Sequence, residues 1–125
     1  MKVVSLILAG SLVAPVAHTA PQMTGAKPET RCGWIANPTP ANWWLNDKAG
    51  EWTISEQGGY QATGADLPDF STHDWVVTNA GDHGYGCACL TASYDHKTMR
   101  VLDIKSVKQR TLRQCKVDKG LKSPG

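Results

Sequence analysis

The stretch Gly84-Tyr85-Gly86-Cys87-Ala88-Cys89-Leu90 constrains the fold more than any other, because it sets two cysteines two residues apart. Side chains on a strand alternate between faces, so Cys87 and Cys89 share one side of it. Cys32 and Cys115 lie far upstream and far downstream, and both must meet that side if the four cysteines are joined.

The start of the chain says which compartment applies. Met1-Lys2 is a short positive region, Val3 to Val16 is an apolar run, and Ala17-His18-Thr19-Ala20 offers small residues for cleavage. This reads as a secretory signal peptide over residues 1–20, with the mature chain starting between His18 and Met23. The apolar run is shorter than the roughly 20 residues of a membrane-spanning helix, and no second run follows, so no membrane anchor is expected. Export places the chain in the periplasm of a Gram-negative bacterium or outside the cell. An even cysteine count in a small exported domain predicts disulfides. A Cys87–Cys89 bond would be strained, which leaves Cys32 and Cys115 each bonded to one member of the central pair. The rival reading is a metal or redox site at Cys87-x-Cys89 with His83, but zinc and redox pairs use wider spacings.

Residues 21–30 carry Pro21, Gly25 and Pro28 without an apolar pattern and read as a flexible lead-in. A single β domain is expected over 31–118, with a disordered tail over 119–125. Strands are predicted at Arg31–Ala36, closed by Asn37-Pro38-Thr39-Pro40, and in a hairpin of Asn42–Leu45 with Glu51–Glu56. Further strands are predicted at Asp74–Asn79, from Gly84 to about Tyr94, and at Met99–Val107. Trp52 and Ile54 alternate with Thr53 and Ser55, as in a half-buried strand. Gln61 to His73 reads as an acidic surface loop long enough for recognition, with Phe70 in it. Lys105–Leu112 is open to one short helix. The fold class is therefore all-β, or β with one short helix. A small antiparallel barrel, open and of the oligonucleotide-binding or SH3-like kind, is preferred over a sandwich.

Arg31-Cys32-Gly33-Trp34, Asn37-Pro38-Thr39-Pro40, Gly50-Glu51-Trp52-Thr53-Ile54, Gln57-Gly58-Gly59 and the Gly-Tyr-Gly-Cys-Ala-Cys motif at 84–89 together resemble a bacterial family catalogued as domain of unknown function 4087. The resemblance runs from Arg31 to Asp118. It implies a small exported protein of Gram-negative bacteria and carries no activity, ligand or catalytic residue with it.

No Gly-x-Ser-x-Gly motif is present, and His73, His83 and His96 all fall in predicted loops or turns. No cofactor is implied. Binding is the better-supported class. Lys97 to Gly125 holds nine of the thirteen basic residues and two of the eleven acids, so Lys105, Lys108, Arg110, Arg113 and Lys116 are candidates for a basic edge. Trp43 and Trp44 are adjacent and must face opposite ways on a strand, so either both faces are covered or one ring is exposed to a partner. Phe70 and Tyr85 complete the binding candidates. Without Lys2, twelve bases meet eleven acids, far from the basic footprint of a nucleic-acid binder. Three functions remain: a non-catalytic exported domain binding a protein, such as an inhibitor or immunity protein; a binder of envelope glycan or anionic polymer; and a small hydrolase using loop carboxylates or a metal at His83. Oligomeric state is left open.

Overall fold

Six strands and one short helix make up the described residues, which in the computed structural model are 9–15, 26–122 and 124. The signal-peptide reading falls largely outside them; residues 9–15 are exposed and without regular structure. The strands are β1 (Glu29–Thr39), β2 (Asn42–Asp47), β3 (Gly50–Ser55), β4 (Trp75–Asn79), β5 (His83–Asp95) and β6 (Arg100–Arg110), followed by α1 (Leu112–Lys116). They form one sheet in the order β1-β2-β3-β6-β5-β4, and an additional β1–β5 pairing closes it into a ring. The architecture is barrel-like and nearly all β, as the turn spacing predicts.

The central strand is β5. It pairs antiparallel with β1 in unbroken register from Glu29↔Ala92 to Asn37↔Gly84, and along its other edge with β4 and then β6. Its even-numbered residues Ala88, Leu90, Ala92 and Tyr94 point inward to a core shared with Ile35, Leu45, Trp52, Ile54 and Val101. Its odd-numbered residues point outward. Period-two alternation is thus what sorts this strand into a core side and a cysteine side. Trp52 and Ile54 share the buried side as expected, each 0% exposed.

Both disulfides lie on the outer side. Cys32–Cys89 joins direct register partners on β1 and β5, and Cys87–Cys115 ties α1 down onto β5. Each terminal cysteine therefore bonds one of the central pair, as the sequence requires, and the metal reading of Cys87-x-Cys89 fails because both sulfurs are already in disulfides.

Several boundaries differ from expectation. β1 begins at Glu29, not Arg31, and continues through Pro38, with a register break between Ala36 and Thr39 that accommodates a residue lacking an N–H. β6 runs on to Arg110, so the helix is not Lys105–Leu112. It starts after Thr111, whose hydroxyl accepts from Gln114 N while Thr111 N donates to the Gln114 side chain, a complete capping box. Within the stretch 119–125 expected as a disordered tail, Leu121 N donates to Asp118 O, and Leu121 packs on the cluster of Trp34, Cys87 and Cys115.

The largest correction concerns Gln61–His73. β3 and β6 touch at a single parallel pair, Thr53↔Arg100, leaving a gap in the ring. The loop fills it. Ala62 N donates to Ile54 O, Thr63 N to Leu102 O, and Ile104 N to Thr63 O. Phe70, proposed as a recognition residue, is 2% exposed and stacks on Trp75. A segment that bridges two strands and buries its one large apolar ring acts as a seal of the ring, and Phe70 faces the core instead of a partner.

Candidate functional site

The outer face of the ring is not uniformly covered. Over Trp34 and Cys87 lie Cys115, Leu112 and Leu121, forming a second small core. Beyond the edge of that cover, one continuous register row crosses the sheet: Val76 (β4), Tyr85 (β5), Ala36 (β1), Trp44 (β2) and Thr53 (β3). Neighbouring strands lie about 4.8 Å apart, so the Tyr85 and Trp44 backbones, two strands distant, stand about 10 Å apart with the small Ala36 between them. The result is a slot with an aromatic wall on each side.

This slot is the floor of a groove of about 790 Å³. Pro38 and Thr78 border it on one side, Asn46 and the β2–β3 turn on another, and the returning C-terminal residues Gly120 and Lys122 on a third. The turn is held by Asp47, whose Oδ1 accepts from Ala49 N, and by Gly50 at φ +133°, a conformation that favours glycine. Tyr85 is braced from beneath by an edge-on contact with Trp34, ring centres 5.4 Å apart. Two of the sequence candidates, Trp44 and Tyr85, are therefore brought together.

The others are dispersed. Trp43 turns the opposite way from Trp44, with its ring 5.7 Å from Phe70 and 6.3 Å from Trp75, so it belongs to the seal of the ring. Lys105 pairs with Asp103 at 2.7 Å and lines a different groove, of about 700 Å³, whose wall includes Tyr60 beneath the Arg100 guanidinium. Lys108 and Arg110 project from the outer side of β6 opposite Cys89 and Cys87, while Arg113 and Lys116 are exposed on α1. The basic edge is thus split, with Lys105 apart from the other four.

Sequence reasoning missed a charged cluster at one end of the ring. The Arg31 guanidinium lies over the Trp52 ring at 4.6 Å and near the Tyr94 ring at 5.3 Å, and it bonds Glu29 and Asp47 at 2.9 Å each. Trp52 Nε1 donates to Asp47 Oδ1, and His96 Nε2 lies 2.6 Å from Glu29 Oε1. The His96 contact, assisted by Arg31, holds the Glu29 carboxyl below the usual carboxylate range, while burial pushes the Tyr94 phenol up. With both Asp47 oxygens and the guanidinium face engaged, this cluster locks β1, the β2–β3 turn and the β5–β6 turn together. Its signal in the sequence was Arg31 preceding Cys32, an inward position on a strand whose outward partner was already known. Of the loop histidines, His83 Nδ1 meets Asn37 Oδ1 at 2.8 Å and His73 meets Asp74 at 3.3 Å.

Among the described residues no cluster of three or more His, Cys, Asp or Glu is placed to hold a metal, and no helix is long and apolar enough to cross a membrane. Two disulfides suit an oxidising, extracytoplasmic compartment. No curated protein and no solved structure matches the chain. The family model described as Protein of unknown function (DUF4087) matches residues 26–122, which takes in all six strands and α1, and the chain belongs to that family.

Proposed function

We propose that the protein is an exported, non-catalytic binding domain of the periplasm or cell exterior that engages a protein partner, as an inhibitor or immunity-type protein does, through the Trp44–Tyr85 groove. The observation that carries this reading is the row Val76–Tyr85–Ala36–Trp44–Thr53. Aromatic side chains fixed on a rigid sheet lose little entropy on binding and are the residues over-represented in the energetic centre of protein interfaces. The row ends in β4, which among the described strands pairs with β5 alone and carries Val77 56% exposed. An unpaired strand edge offers backbone donors and acceptors that suit a polypeptide.

A second reading, a glycan or anionic polymer, is favoured by the slot itself, since a sugar ring can lie between two aromatic walls with Asn46 and Lys48 at its rim. Capture from envelope extracts separates the two. Tagged wild-type protein and Trp43→Ala should retain one stoichiometric protein, and Trp44→Ala should lose it by about thirtyfold in affinity, the loss of a single strong anchor. Retention on purified cell wall that free saccharide displaces, with no protein captured, would replace this reading with the second.

A further inference from the structure

Away from the groove, the outer side of the sheet is built in rows across β1, β5 and β6: Thr30, Thr91 and Ser106; then Cys32, Cys89 and Lys108; then Trp34, Cys87 and Arg110. The two disulfides occupy successive rows and differ in cover. Cys87 and Cys115 are 2% and 3% exposed beneath Leu112 and Leu121. Cys32 is exposed, and its partner Cys89 is buried between it and Lys108. Lys108 is exposed and makes no ion pair among the described residues, and its Cβ stands about 5 Å from that of the residue opposite.

We infer that Cys32–Cys89 is a thiol-exchange site, open to small thiols and protein dithiols, while Cys87–Cys115 is a purely structural brace. Cys32 is the exposed member of the four cysteines and Cys87, Cys89 and Cys115 are buried, so an incoming thiolate bonds at Cys32 Sγ. The Sγ–Sγ bond to Cys89 breaks, and its electron pair leaves on Cys89 Sγ. That thiolate forms beside the Lys108 ammonium, which lowers the cost of its charge until it takes a proton from solvent. When the attacking molecule is a dithiol, its second thiolate displaces Cys32 from the mixed disulfide. The dithiol is thereby oxidised by two electrons to a disulfide, and Cys32 and Cys89 end as two thiols. Exposed disulfides are the exchangeable ones as a class. The fold tolerates the opening because β1 and β5 stay in register on both sides of the bridge, from Glu29 to Asn37.

The test uses the full chain with both disulfides formed, treated in separate arms with dithiothreitol and with a Cys-x-x-Cys peptide, then quenched by alkylation and mapped. Cys32 and Cys89 should be labelled at least about tenfold faster than Cys87 and Cys115, with the circular dichroism unchanged. Reaction in the dithiothreitol arm alone assigns the site to small thiols, and reaction in both arms extends it to proteins. Lys108→Glu should slow the opening about threefold or more, whereas Lys105→Glu, altering a lysine already paired with Asp103, should not. Simultaneous opening of both bridges, opening only as the fold melts, or prior opening of Cys87–Cys115 would overturn the inference. A Lys108→Glu rate equal to the wild type's would overturn the part assigned to the lysine.

Discussion

The two sides of β1 and β5 are made from the same residues in alternation and have opposite fates. Inward, Ile35, Ala88, Leu90 and Ala92 are wholly enclosed, in a core supplied by the strands and by the loop that carries Ala62 and Phe70. Outward, the same strands carry cysteines, Trp34 and Tyr85, and the chain covers only part of them, with α1 and Leu121. What the inner side does for stability, the outer side leaves unfinished at Trp44 and Tyr85. The inner core and the small one under α1 leave Trp44 and Tyr85 only half-buried on the outer face, and it is this incomplete cover that the proposed partner-binding reading uses.

Tryptophan substitutions should break this contrast most visibly. Trp52→Ala removes a fully buried ring and the surface on which Arg31 stacks, and should cost about 3–5 kcal/mol in urea unfolding. Trp44→Ala, in the outer groove, should cost less than about 1 kcal/mol while weakening partner capture about thirtyfold. Equal losses at the two sites would mean that the outer row belongs to the core.

The disulfides sharpen the same comparison. Loop length alone gives slightly more stabilisation to Cys32–Cys89, with 57 residues of separation, than to Cys87–Cys115, with 28; both fall near 4 kcal/mol, roughly. Cover predicts the reverse order. Replacing Cys87 and Cys115 by serine also puts hydroxyls under Leu112 and Leu121 and unpins α1, so this pair should destabilise more than Cys32→Ser/Cys89→Ser. Paired denaturation curves decide between loop entropy and packing.

The smallest effect belongs to the Arg31 cluster. Because the folded-state pKa of Glu29 lies below its ordinary value of 4.5, its contribution is present above that pH and is lost as pH falls through the folded pKa. Wild type should therefore lose more stability than Glu29→Gln between pH 6 and pH 3, by a modest margin since the carboxylate is 38% exposed. Parallel pH profiles for the two proteins would remove Glu29 from the account.

Much of this arrangement is legible in the sequence wherever it depends on local alternation. The shared face of Cys87 and Cys89, that of Trp52 and Ile54, and the exclusion of a Cys87–Cys89 bond follow from period two and compartment, whereas the choice of partner for Cys32 and Cys115 is set by the β1–β5 register that puts Cys32 opposite Cys89. The loop from Gln61 does not, because its role rests on a few long-range hydrogen bonds to Ile54, Leu102 and Ile104 that leave no periodic trace. The division between Trp43 and Trp44 follows from alternation, but which of them turns outward does not. That choice is set where the β2–β3 register shifts between Trp43↔Ser55 and Trp44↔Thr53. Thr111-Leu112-Arg113-Gln114 is a capping box in plain sequence, yet the strand pattern of Lys105 to Arg110 competes with it, and pairing with β5 decides the matter.

Site-specific photo-crosslinking puts the central claim, that the open outer row is the working surface, to the most direct test. A photoreactive residue is placed at Thr78, on the rim of the Trp44–Tyr85 groove, or at Lys105, on the separate groove of Tyr60 and Arg100, and each protein is irradiated in envelope extract. The account predicts a discrete protein adduct from position 78, lost when Trp44 is also changed to alanine, and none from position 105. An adduct from position 105 with none from position 78 would contradict it.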